Sequence, residues 1–264
     1  MRALIITIVC YLCTMTIAHA QSSKASHIDV YDGFETPSLN SSLWSNDRFE
    51  AGAVEMETNI VRAGHSAVKI TVRSHNKFEA GTATTHGSER AELLEAKKFV
   101  SRENTSYEFS FSMFFPTNFP IEPTRLVIAQ WKQLCSENGT CSDDSPVLAL
   151  RYINGELRIT QNINSPHETR LWTEKGEFRG RWLDFKFQTR FTTNDTGRVK
   201  AWLDGKQILD FKGVTADIES AATGYPSPSH FYFKMGLYRN SVPAPWTSYI
   251  DEYRKKELTD GELQ

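Results

Sequence analysis

Tyr107-Glu108-Phe109-Ser110-Phe111-Ser112-Met113-Phe114-Phe115 alternates with a period of two. Tyr107, Phe109, Phe111, Met113 and Phe115 share one face, and Glu108, Ser110 and Ser112 share the other. Such alternation sets an apolar row on a core and a polar row towards water, which marks a half-buried strand. The period recurs on both sides of this stretch. Val68, Ile70 and Val72 alternate with Lys69, Thr71 and Arg73, and Phe185 to Phe191 repeats the pattern. Leu148–Ile153 meets Leu157–Ile159 across Asn154-Gly155, and Val199–Leu203 meets Ile208-Leu209 across Asp204-Gly205. Both dipeptides favour the tight turns that join antiparallel neighbours. No long 3.6-residue pattern competes after Gln21. The prediction is an all-β sandwich of two antiparallel sheets, one exposing a polar groove on its outer face.

The chain has 264 residues, 39% of them hydrophobic and 12% aromatic, enough for one large core and too ordinary for a disordered or collagenous chain. Lys and Arg number 30 against 32 Asp and Glu, so a polybasic nucleic-acid binder is excluded. Met1-Arg2, an apolar run to Ala18 and the small-x-small pattern Ala18-His19-Ala20 read as a secretory signal over residues 1–20. No second apolar stretch follows, so no membrane partner is expected. Residues 21–264 then form a single secreted domain, expected to act as a monomer. In an oxidising compartment Cys135 and Cys141 are expected to close a disulfide. Asn40, Asn104, Asn138 and Asn194 head N-x-S/T sequons, which suit glycosylated surface turns. Pro116–Pro123 and Thr215–Ser229 read as long surface loops.

Three strands carry an unusual polar face. In His230 to Arg239, Phe231, Phe233, Met235 and Leu237 are expected to point inward. Tyr232, Lys234 and Tyr238 line the other side, with Gly236 leaving a gap for an anionic ring. In His86 to Leu93, the set His86, Ser88, Arg90 and Glu92 shares a parity, and Glu92 is placed to hold Arg90 by a charge-assisted pair. In Leu126 to Lys132, Gln130 and Lys132 share a face.

The patterns Ser88-Glu89-Arg90-Ala91-Glu92-Leu93, Ile128-Ala129-Gln130-Trp131-Lys132 and Tyr232-Phe233-Lys234-Met235-Gly236-Leu237-Tyr238 together resemble those of jelly-roll polysaccharide lyases. The glucuronan lyase and heparin-lyase-I-like group is the nearest match, and alginate lyases carry related patterns. Leu94 and Lys132 stand where alginate lyases carry an Arg and a His, which speaks against alginate. The resemblance implies a concanavalin A-like jelly roll with a concave groove and cleavage of a 4-linked uronic-acid polymer by β-elimination, β-1,4-glucuronan first. It also implies a calcium ion tying the first strand to the last, with Glu35 and Asp251 as matching acids; the chemistry itself needs no cofactor.

Such a reaction removes the C5 proton beside a carboxylate and expels the 4-linked sugar. The site must neutralise that carboxylate and stabilise the charge that develops. Gln130 and Arg90 are the candidates, with Lys132 and Lys234 giving a cationic groove and Tyr232, Glu92 and Arg239 beside them. Tyr238 is expected to protonate the leaving oxygen, with Lys234 and Arg239 favouring its ionised form. Where proton and oxygen lie on one side of the ring, Tyr238 could be base and acid in turn, with His86 either the base itself or helping to hold the carboxylate; where they lie on opposite sides, His86 is the base. A glycoside hydrolase is disfavoured, because Glu89, Glu92 and Glu95 are spaced by three and adjacent members fall on opposite strand faces. The remaining rivals are a lyase acting on alginate or heparin-type chains and a non-catalytic lectin-like module.

Overall fold

The computed structural model describes residues 27–83, 85–135, 145–165, 167–259 and 261–263. The expected signal segment, Asn138 and Cys141 lie outside them. In chain order the first eight strands are β1 (Asp29–Asp32), β2 (Trp44–Ser45), β3 (Val54–Glu57), β4 (Ala67–Val72), β5 (Ser88–Glu95), β6 (Ser101–Arg102), β7 (Ser106–Phe114) and β8 (Leu126–Gln133). Then follow β9 (Leu148–Ile153), β10 (Glu156–Gln161), β11 (Thr169–Lys175), β12 (Trp182–Arg190), β13 (Arg198–Leu203), β14 (Lys206–Lys212), β15 (His230–Asn240) and β16 (Trp246–Glu257). The first sheet runs β14-β13-β12-β7-β16-β4-β3, with β1 also on β16; the second runs β11-β10-β9-β8-β15-β5-β2, with β6 also on β15. Every strand pair is antiparallel, as a jelly-roll sandwich requires.

The predicted faces hold. Tyr107, Phe109, Phe111 and Met113 of β7 are buried, with Phe109 against Trp131 and Phe233 and Phe111 against Phe187 and Phe233. Both predicted hairpins form, with Asn154-Gly155 and Asp204-Gly205 at positive φ in their turns. The aromatic interior joins the sheets: Trp131 and Phe233 of the second lie 4.8 to 5.8 Å, centroid to centroid, from Phe187, Phe109 and Phe111 of the first. Rings at such spacing add to the hydrophobic gain of burying them.

Two details of the second sheet shape its outer face. The strand expected from His86 begins at Ser88, so His86 lies in the preceding loop and is exposed. Gly236 sits at φ +140°, and its pairing with β8 is broken by a bulge between Met235 and Tyr238. A Cβ there would stand 2.4 Å from the Ala91 carbonyl oxygen and 2.8 Å from Glu92 Cα. The glycine is therefore demanded by the approach of the β5 backbone. Gly236→Ala is expected to destabilise the fold by about 1–3 kcal/mol or more through strain and clash. The denaturation midpoint reads this, and activity should fall with it, because Lys234 and Tyr238 flank the bulge.

Candidate active site

Strands β9, β8, β15 and β5 lie side by side, and register places Arg151 opposite Val127, Val127 opposite Tyr238, and Tyr238 opposite Arg90. One row thus crosses four strands with a phenol between two arginines. A second row sets Lys234 opposite Gln130, and a third sets Tyr232 opposite Lys132. Above these rows is a cavity of about 540 Å³, lined among the described residues by Arg48, Arg90, Arg125, Lys132, Arg151 and Lys234 and by two acids, Glu79 and Glu168. The whole chain carries a formal charge of −2, so the positive charge is concentrated here. A walled cationic groove focuses its field on an incoming polyanion.

The floor is organised by Glu92, which is 1% exposed. Gln130 Nε2 donates to its Oε1, Lys234 Nζ lies 3.4 Å from its Oε2, and Arg90 Nη1 is 4.0 Å from that same oxygen. Glu92 thus makes the expected pair with Arg90, the longest of these three contacts. It lies beneath the cations and fixes Gln130 and Lys234, and the tighter pair of Arg90 Nη2 is with Glu79. An acid in the open groove would repel a uronate; buried behind cations it orients them. Glu92 also stands opposite Gly236 in register.

Tyr238 is held on both faces. The guanidinium carbons of Arg90 and Arg125 each lie 4.3 Å from its ring centroid, and the Ser88 hydroxyl donates to its oxygen at 3.3 Å. Arg125 is itself fixed by Nε donating to Asn240 Oδ1 at 2.9 Å. Two stacked guanidiniums fix the ring and place positive charge on both sides of it. Lys234 lies 5.8 Å from the Tyr232 ring and 5.9 Å from the Tyr238 ring.

Burial pulls the Lys234 ammonium down to about 8, and Arg90, Lys132 and Arg48 add to that while Glu92 opposes it. The sign of the pH effect follows. In the unfolded chain the group titrates near 10.5, so between about pH 8 and 10.5 the unfolded state binds more protons and this group's contribution to stability rises with pH. Anion binding runs the other way. KM for an acidic polymer is expected to climb as pH passes 8, and Lys234→Arg, which keeps its charge, should remove that break. Initial rates across pH 6–10 check it. Arg151 is likewise pulled down by burial, partly offset by Glu168.

Several other expected site residues lie elsewhere. Arg239 is not in the groove. It shares the inward parity of Phe231 and Phe233, is wholly buried, and pairs with Glu89 while donating to the Ala244 and Val242 carbonyls and stacking on Trp246. His86 lines an adjoining, more open depression of about 570 Å³ that shares Glu79, Arg125 and Tyr238 with the main groove. Glu35 accepts the N–H groups of His65 and Ser66, and Asp251 accepts those of Arg62, Ala63 and Glu252. Those carboxylates are turned to N–H donors, the reverse of a cation shell, and the described residues gather no group of three or more metal-binding side chains. As they stand, the two acids do not fit a calcium ligand set. Of the sequons, Asn40, Asn104 and Asn194 are exposed in turns.

Arg48, Arg125 and Arg151 were not singled out in the sequence. Arg151 was within reach, since Leu148 and Leu150 point inward and Arg151 falls on the opposite face of a predicted strand. Arg48 and Arg125 sit outside the strands, where periodicity carries no direction.

The profile of the polysaccharide lyase family matches residues 27–254. No curated protein matches the chain significantly. Among solved structures, an endo-β-1,4-glucuronan lyase from the fungus Trichoderma reesei is 19% identical, with a TM-score of 0.66 over 89% of this chain and 97% of that one. The alginate lyase AlgAT5, of polysaccharide lyase family 7, is 15% identical at a TM-score of 0.54, over 80% and 84% of the two chains. The cellulose-induced protein Cip1 is 11% identical at 0.53, over 86% and 96%. At such identities the likeness concerns the fold.

Proposed function

Because this chain belongs to the polysaccharide lyase family, we propose that it is a secreted enzyme that cleaves a 4-linked uronic-acid polymer, β-1,4-glucuronan first, by β-elimination. The observation that carries this reading is the Tyr238 phenol clasped by Arg90 and Arg125 in a groove with six cations. Arg90 and the second N–H of Gln130 neutralise the carboxylate of the sugar being cleaved, and Lys132 and Lys234 extend the cationic surface to its neighbours. In glucuronan the C5 proton and the leaving oxygen lie on the same side of the ring. The ionised Tyr238 takes the C5 proton, the electron pair forms the C4–C5 double bond, the C4–O bond breaks, and Tyr238 returns the proton to the departing oxygen. The cations stabilise the enolate-like charge between these events.

Glucuronan is favoured by Leu94 and Lys132, which depart from the alginate-lyase pattern, and by the glucuronan lyase among the similar structures. Secretion is supported by the Ala18-His19-Ala20 pattern, with the Cys135–Cys141 disulfide and the sequon glycans following from it. His86, in the depression beside Tyr238, suits substrates whose proton and leaving group lie on opposite ring faces. His86→Ala is therefore expected to spare turnover of glucuronan and abolish any on guluronate blocks.

The test is ultraviolet absorbance of 4,5-unsaturated uronate on glucuronan, alginate, pectate and heparin. Product on glucuronan, lost in Tyr238→Phe, is the expected result. Binding without product on any polymer would turn the assignment to a lectin-like module.

A further inference from the structure

Two ion pairs in the groove have an unusual asymmetry. The Arg90 side chain is 8% exposed and its partner Glu79 is 53% exposed; for Arg151 and Glu168 the figures are 7% and 31%. Arg239 and Glu89, by contrast, are both wholly buried. In the groove pairs the cation is built into the sheet and the acid is not. Arg151 is held from its own sheet by Nε donating to Thr160 Oγ1 at 3.0 Å, and Arg90 by the Tyr238 ring and Glu92. Glu79 and Glu168 both lie outside the long strands and both line the cavity.

A buried guanidinium without a counter-ion is costly, so the free protein needs a carboxylate at each arginine. An exposed carboxylate is a cheap one to give up, because leaving the pair returns it to water. Arg151 and Arg90 lie in the same row as Tyr238, two strands away on one side and one strand away on the other. Three strand spacings, on the order of 14 Å of backbone, separate them, and each has its own acid.

We propose that Glu79 and Glu168 are resident stand-ins for substrate carboxylates. They occupy two uronate subsites flanking Tyr238 in the free protein and are displaced when the polymer binds. The inference rests on the uronan reading above and adds two specificity-determining residues to it. A polymer with a carboxylate on each sugar replaces both acids at once, whereas a neutral polymer leaves both arginines paired to the protein and gains nothing from them. The paired acids thereby select against neutral glycans.

The test compares Glu79→Gln and Glu168→Gln with the wild type in thermal melting, alone and with sodium glucuronan, alginate, polygalacturonate or heparin. Each variant is expected to melt lower than the wild type when free, because a buried guanidinium has lost its nearest carboxylate; for Arg90 the 4.0 Å contact with Glu92 remains, so the fall should be smaller in Glu79→Gln. With at least one polymer the rise in melting temperature should be at least twice that of the wild type. Glu177→Gln removes an exposed acid paired with Arg179 away from the groove and should leave the rise unchanged. A rise no larger than wild type in both variants on every polymer overturns the proposal, as does an equal gain in Glu177→Gln. Should Glu168→Gln fail to fold, Glu168→Gln/Arg151→Met removes the charge with its partner, and it should fold and lose part of the polymer-induced rise; an undiminished rise there overturns the Arg151 subsite. Unsaturated-uronate absorbance on the same samples reports the chemistry separately. An enlarged melting shift without absorbance defeats the lyase reading alone, and absorbance without an enlarged shift defeats this inference alone.

Discussion

Tyr238→Phe is expected to lower kcat on the cleaved polymer by about 10²- to 10⁴-fold, the usual range for a positioned proton-transfer group. The substitution removes one oxygen and keeps the ring. Its stacking between Arg90 and Arg125 therefore survives, and so does the second sheet beneath it. Among the described residues the oxygen accepts from the Ser88 hydroxyl, at the long distance of 3.3 Å, so stability should change by less than about 1 kcal/mol. KM should move little, since the cations that hold the polymer are untouched. A fall in kcat with an unchanged melting temperature would separate proton transfer from structure. A variant that keeps a tenth or more of its activity would remove Tyr238 from the chemistry and leave the cationic groove as a binding surface.

Lys255→Met is expected to cost about 3–5 kcal/mol of stability at neutral pH, the toll of leaving one buried partner of an ion pair alone. Lys255 of β16 and Glu95 of β5 are both wholly enclosed between the sheets, with Nζ 3.0 Å from Oε2. The ammonium also reaches the Phe99 carbonyl and lies 4.9 Å from the Phe109 ring, while the Tyr253 hydroxyl donates to the other carboxylate oxygen. Burial already pushes the Glu95 carboxyl up, against the pull of Lys255, and removing the lysine releases that restraint. The unfolded chain then loses this proton near 4.5 while the folded one retains it to higher pH. Stability therefore falls as pH rises through that window, and the defect should be smallest below about pH 4.5 and largest at neutrality. Glu95→Gln/Lys255→Met removes both charges and should recover most of the loss. Urea midpoints at pH 4.5 and pH 7, at constant slope, decide it. An equal loss in the single and double variants would mean that packing, not charge, holds this joint.

Much of the groove was legible because a strand's period assigns each side chain to a face. Tyr232, Lys234 and Tyr238 on β15, Arg90 and Glu92 on β5, and Gln130 and Lys132 on β8 all fall on the outer side as their parity requires. The same rule, applied strictly, sends Arg239 inward with Phe231 and Phe233; nearness to Tyr238 in the chain argued the other way and is overruled by the pleat. His86 went astray because parity holds only within a strand, and β5 begins two residues later.

What no periodicity contains is the relation between strands distant in the chain. Arg151 and Arg90 are 61 residues apart in sequence, yet share one row because β9, β8, β15 and β5 are neighbours, a matter of topology and register. Glu92 became the organiser of the floor through contacts with Lys234 on the neighbouring β15 and with Gln130 beyond it on β8. Glu95 and Lys255 met because the two sheets stack there. Arg48 and Arg125 come from segments between strands, where backbone direction is set by tertiary packing. Local alternation alone determined the sandwich and the polar face of each strand, since both depend on side-chain period. Only the packed sheets decided which of those polar groups meet, because hydrogen bonds between strands, and not neighbours in the chain, bring them together.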